Sequence, residues 1–126
     1  MSRGEAGSRI PDYLAHMLEA TRLASTYVEG MAKVEFLADR RTQQAVILNH
    51  ISIGEAAARM VTEYPDFAAV HPEVPWAQMR GMRNRMAHGY FDINLDTVWE
   101  TVQTSLPDLE EKLRKIDTQQ EPSRCV

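Results

Sequence analysis

The sequence is poor in the residues that cross-link a fold or anchor it in a membrane. Its only cysteine is Cys125, so an intramolecular disulfide and a cysteine-rich zinc site are both excluded, and a reducing cytoplasm fits best. No apolar run approaches the roughly 20 residues that span a bilayer, and Met1 to Ser8 lack the apolar stretch of a secretory signal. A soluble, unexported protein with no membrane partner is expected. Strict alternation of apolar and polar residues is missing, which argues against half-buried strands, and there is no internal repeat or low-complexity segment. An excess of positive charge is missing too: 14 Lys plus Arg face 18 Asp plus Glu, a formal charge of -4. The chain as a whole does not attract polyanions, so any nucleic-acid site must be local.

What the sequence does have is helical periodicity over about one domain's length, 126 residues with 44% hydrophobic content. A first helix opens near Pro11, carries Tyr13, Leu14, Met17, Thr21, Ala24, Tyr27 and Val28 toward the core, and stops at Gly30. A short turn of helix follows around Val34 to Leu37. A long helix from about Asp39 to Glu63 places Ile47, Ile51, Gly54, Ala58 and Val61 on one face and ends at Tyr64-Pro65. Gly54 costs this helix about 1 kcal/mol relative to Ala, and beside Ala56, Ala57 and Ala58 it signals close approach of another helix. Residues 65 to 75 read as a proline-punctuated loop. Trp76, Met79, Met82 and Met86 mark a third helix ending near Gly89, its methionines filling core or an interface. The last opens at Asn94 or Asp96 and runs through Leu95, Val98, Val102, Leu106, Leu109, Leu113 and Ile116, bent by Pro107. The expected fold is all-α: an up-and-down antiparallel bundle of about four to five helices. A single domain spans residues 10 to 116, with flexible tails at 1 to 9 and 117 to 126.

One segment departs from amphipathic patterning. Arg80-Gly-Met-Arg83-Asn84-Arg85-Met-Ala-His88-Gly-Tyr90 carries three arginines, a histidine and a tyrosine with no acidic residue. On a helix Asn84 and His88 share a face, and Arg83 and Tyr90 share a neighbouring one if the helix persists past Gly89. Arginine and histidine near a helix C-terminus commonly do no more than complement the macrodipole. The pair also suits metal-free RNA cleavage, where imidazole moves the proton of a ribose 2'-hydroxyl and guanidinium neutralises the charge building on phosphorus. One chain offers a single such histidine; a two-fold dimer would supply two histidines and two or more arginines around one phosphate. His16, His50 and His71 are scattered over different elements, so no metal site and no cofactor are assigned. Glu55, on the small-residue helix, reads as a structural partner for an arginine ahead of a catalytic base.

Several segments resemble a known family. Pro11-Asp-Tyr-Leu, Arg41-Thr-Gln-Gln-Ala-Val-Ile, Ile53-Gly-Glu-Ala-Ala and Pro75-Trp lead to Gly81-Met-Arg-Asn-Arg-Met-Ala-His-Gly-Tyr-Phe-Asp. Leu95-Asp-Thr-Val-Trp-Glu-Thr-Val and Leu106-Pro-Asp-Leu complete the match. Together they resemble the HepT-type toxins of the HEPN superfamily, small all-α ribonucleases paired with an MntA-type minimal nucleotidyltransferase antitoxin in bacteria and archaea. The resemblance implies a metal-independent RNase site between two protomers of a homodimer. Arg83 and His88 would be catalytic there, supported by Asn84; Arg80 and Arg85 of the same basic segment and Glu55 are the further candidates for support. It implies further that the partner nucleotidyltransferase adenylylates Tyr90 and so silences the enzyme, as in a type VII toxin-antitoxin system acting on tRNA or mRNA. The alternative is a non-catalytic helical partner that presents substrate to a nucleotidyltransferase, or an RNA-binding dimer that cuts nothing.

Overall fold

The computed structural model describes residues 8 to 119, and all its regular elements are helical. Helix α1 is Ile10–Tyr27, α2 is Lys33–Leu37, α3 is Arg40–Glu63, α4 is Pro65–Ala69 and α5 is Trp76–His88. A 3-10 turn, Tyr90–Asp92, leads to α6 (Leu95–Glu100), which continues through a π-helical segment, Thr101–Ser105, into α7 (Leu106–Gln119). Cys125 and most of both expected tails lie outside the described residues, while α7 itself passes Ile116. No described helix is long and apolar enough to cross a membrane.

Local chemistry sets the boundaries. Pro11 occupies the first turn of α1, where its missing N–H costs nothing, and Gly30 follows the helix at φ 80°, a left-handed conformation suited to glycine. Asp39 caps α3, accepting from the Thr42 amide at 3.1 Å and from its hydroxyl at 2.7 Å, and Asn94 caps α6 by accepting from the Thr97 amide at 3.1 Å. The two hydrogen bonds from Thr42 hold the Asp39 carboxyl below its ordinary pKa.

Contacts between chain-distant residues give the topology. Tyr13 at the start of α1 donates to Glu63 at the end of α3 at 2.7 Å, and the Arg9 amide donates to the Tyr64 hydroxyl at 2.8 Å, so α1 and α3 run antiparallel. Arg22 reaches Glu110 on α7 at 3.0 Å. Helix α3 is central, packed against both α1 and α5. That explains one departure from the expected pattern. A single stripe through Ile47, Ile51 and Val61 was the expectation, but Ile51, Ala58 and Val61 are only half-buried. Val46, His50, Ile53, Ala57 and Met60 are buried instead, because a helix with neighbours on two sides buries a wider arc. Tyr27, assigned to the core, is 41% exposed as the last residue of α1.

Two further details differ. The expected loop at residues 65 to 75 contains α4, started by Pro65 and tied to α5 by Trp76, whose indole N–H is shared between the carbonyls of Ala68 and His71, each at 3.1 Å. Pro107 does not simply bend the last helix; a π-helical turn precedes it. Proline lacks an N–H and its ring crowds the carbonyl four residues back, and a widened turn relieves both. Val98, Val102, Leu106, Leu109, Leu113 and Ile116 all stay buried, so the seam keeps its register through the irregularity.

Candidate functional site

The arginine-rich segment lies on α5, and Gly54 governs how α5 seats on α3. A Cβ at position 54 would fall on Arg83 Cβ and stand 2.6 Å from the Met79 carbonyl oxygen. Only a residue without a side chain lets the two backbones approach this closely, as expected from the glycine among alanines. The result holds Arg83 beside the next residue of α3: its Nη1 donates to Glu55 Oε1 at 2.7 Å, with the Arg83 side chain 24% and that of Glu55 47% exposed. Arg83 Nε is buried and makes no hydrogen bond among the described residues. Glu55 also accepts from Arg59 at 3.2 Å, so one carboxylate serves two guanidinium groups.

His88 ends α5 and faces elsewhere. It lines a cleft of about 500 Å³ together with Asn84, Arg85, Met86, Asn94 and Thr97. Asn84 and His88, one turn apart, thus meet in the same cleft, and Arg85 joins them at its rim. Arg83 does not. Five residues on an α-helix turn through roughly 140° net, so one protomer's Arg83 and His88 point in divergent directions. Arg80 is also away from the cleft, beside Trp76 and Val61 at the other end of α5.

The helix stops at His88, and Gly89 at φ -122° closes it as C-cap, its amide donating to the Arg85 carbonyl at 2.9 Å. Tyr90 therefore starts the 3-10 turn and does not continue a face shared with Arg83. It is 44% exposed, packed edge-on against a Phe91 that is 98% exposed, the ring centroids 5.9 Å apart. Tyr90 does not line the His88 cleft, although Gly89 before it and Asp92 after it both do.

The cleft wall formed by Asp92, Ile93 and Asn94 was not legible from side-chain chemistry in the sequence, where Asn94 signals only a helix cap. A larger groove, about 720 Å³, runs between α1 and α3 past His16, Glu19, Asn49, Glu55 and Arg59. It holds an imidazole and guanidinium groups of its own, His16 with Arg9 and Arg59, but beside the carboxylates Glu19 and Glu55, whereas among the described residues the only acidic side chain lining the His88 cleft is Asp92. No group of three or more histidine, cysteine or acidic side chains among the described residues is arranged to hold a metal.

The sequence profile of the family described as ribonuclease HepT-like matches residues 17–116. The chain belongs to the HepT-like ribonuclease family. Relatives include the "Probable ribonuclease HepT" of Thermococcus cleftensis, 36% identical over 105 residues, which cover 83% of this chain and 93% of that protein. A "Putative RNase" of Caldanaerobacter subterraneus subsp. tengcongensis is 32% identical over 104 residues, 82% of this chain and 90% of the relative. Another, of Methanocaldococcus jannaschii, is 33% identical over 115 residues, 88% and 93% of the two chains. No solved structure matches the chain.

Proposed function

We propose that this HepT-like chain is a metal-independent endoribonuclease, the toxin of a type VII toxin-antitoxin module, whose site is completed between two protomers. The observation that carries the reading is the cleft at the end of α5, where exposed His88 stands with Asn84 and Arg85 inside an otherwise acidic protein. The divergence of Arg83 from His88 within one chain favours a two-fold assembly, in which the partner's α5 end brings a second imidazole and further guanidinium groups to one phosphate.

In that arrangement one His88 imidazole takes the proton of a ribose 2'-hydroxyl and the 2'-oxygen attacks phosphorus. The partner's His88, protonated, gives its proton to the departing 5'-oxygen. Arg83 binds the non-bridging oxygens as negative charge accumulates, with Asn84 orienting the imidazole or substrate by its amide. The products are a 2',3'-cyclic phosphate and a 5'-hydroxyl. No step needs a metal or cofactor.

Tyr90 completes the reading as the point of control. Transfer of AMP from ATP to its hydroxyl, by a cognate MntA-type nucleotidyltransferase with release of pyrophosphate, would plant a phosphodiester and a nucleoside at the mouth of the His88 cleft. That anion competes with RNA for the same guanidinium groups. The experiment is cleavage of transfer and messenger RNA in EDTA by the unmodified chain. Wild type should cut, Arg83→Ala and His88→Ala should not, and Tyr90→Phe should cut but resist silencing by nucleotidyltransferase and ATP. No cleavage by intact wild-type dimer would favour the non-catalytic partner of a nucleotidyltransferase instead.

A further inference from the structure

A second cavity adjoins the His88 cleft and holds a buried polar atom that the reaction does not use. His50, on α3, is 3% exposed. Its Nδ1 lies 3.0 Å from the Val46 carbonyl oxygen, which can only accept, so Nδ1 carries the proton and Nε2 presents a lone pair. Nε2 is buried and has no hydrogen-bond partner among the described residues. His50 lines a cavity of about 320 Å³, at the small end of the roughly 300–1,000 Å³ typical of ligand pockets. Its walls are apolar, from Ile53, Met79, Leu106 and Leu109, and its rim is polar, with Gln78 and Ser105. The irregular π-helical turn forms part of it through Thr101 and Ser105, and such turns frequently mark functional sites. Met82 and Arg85 line both this cavity and the His88 cleft, which makes the two neighbours across α5.

We infer that the cavity receives a single unstacked RNA base bearing an exocyclic amino group, which donates to His50 Nε2 while the attached phosphate lies on Arg85. The inference rests on the ribonuclease reading for its substrate and deepens it, adding base selection beside the scissile phosphate. A flat ring between apolar side chains with one polar group at its edge is how enzymes read an extruded base. Adenine and cytosine present an amino group to an acceptor. Uracil presents carbonyl oxygens on both sides of its only ring N–H and would bury them against apolar walls. Burial also lowers the His50 pKa, which keeps the imidazole neutral and its Nε2 an acceptor. Nε2 is covered in this structure although the cavity is partly open, so the unbranched side chains of Met79 and Met82, which line the cavity, must shift as a ring enters.

The test is a titration of the full chain, labelled at its methionine methyl groups, with AMP, CMP and UMP in EDTA. The Met79 and Met82 resonances should move with AMP and CMP, and UMP should bind about tenfold more weakly, the value of one unmade buried hydrogen bond. His50→Phe should erase the difference between AMP and UMP, and Arg85→Gln should weaken all three nucleotides while sparing adenosine. No movement of these methyl resonances, or equal binding of AMP and UMP by wild type, overturns the inference; the second result needs no variant to fold. Nucleotide binding does not depend on catalysis, so selective binding without RNA cleavage would sink the ribonuclease reading and leave the pocket standing. Cleavage indifferent to the base, with no nucleotide binding, would do the reverse.

Discussion

Replacing Gly54 by alanine tests how the helix interface controls the site. The added Cβ would stand 2.6 Å from the Met79 carbonyl oxygen and fall on Arg83 Cβ, whereas ordinary contact begins near 3.4 Å. The carbonyl contact alone requires α5 to withdraw by about 0.8 Å, the difference between those two distances, and both obstructing atoms belong to or adjoin the α5 backbone. They cannot rotate aside as a side chain would. Overpacking of this kind costs about 1–3 kcal/mol, and the better helix propensity of alanine returns about 1, so the net loss is about 0–2 kcal/mol. A displacement near 1 Å at a catalytic group costs up to about 100-fold in rate. Gly54→Ala should therefore remain folded, lose modest stability in urea denaturation followed by tryptophan fluorescence, and lose RNA cleavage by one to two orders of magnitude. Wild-type cleavage with wild-type stability would refute the claim that backbone contact at Gly54 positions the site.

Three further outcomes are expected. Burial holds His50 below its ordinary 6.5, so the unfolded chain binds that proton more tightly; stability from this group is present above about pH 6.5 and lost as pH falls, and His50→Leu should flatten urea midpoints measured between pH 7 and about 5. A profile unchanged by the substitution would contradict the assignment. Glu55→Gln breaks a partly solvated pair and should cost under about 1 kcal/mol, yet lower kcat severalfold with KM little changed, because Arg83 loses the partner that aims it; an unaltered kcat would show that the pair is structural only. Trp76→Phe keeps an aromatic ring but shrinks the buried side chain and deprives the Ala68 and His71 carbonyls of their shared donor, and should cost at least about 1–3 kcal/mol in denaturation, whereas no loss would mean the indole N–H does not tie α4 to α5.

Much of the bundle was legible because its signals are local. Asn94 as a cap, Tyr64-Pro65 as a stop and the Leu95-to-Ile116 seam depend on neighbours within a turn or two, and the structure realises each. Gly54 was legible for a different reason: a helix keeps a glycine in its interior only against a compensating contact. What failed depended on partners distant in sequence. The buried arc of α3 is set by helices on two sides, which a one-stripe pattern cannot convey, and the short helix at Pro65–Ala69 hides behind its prolines until Trp76 anchors it. At the site, the motif spacing marks Arg83, Asn84, His88 and Tyr90 together, but geometry parts them: Gly89 ends the helix, Tyr90 turns away, and Glu55 draws Arg83 toward α3. His50 carried no signal, because its significance is an unpaired nitrogen beside a cavity and not a spacing.

In the proposed metal-free cleavage His88 moves the protons, and the chemistry of the fragment ends examines that step most directly. RNA cut in EDTA by the unmodified wild-type chain should end in 2',3'-cyclic phosphate and 5'-hydroxyl, and His88→Ala should produce no such ends while keeping the wild-type assembly state and RNA binding. Undiminished production of these ends by rigorously purified His88→Ala, or wild-type ends bearing 5'-phosphate, would contradict it.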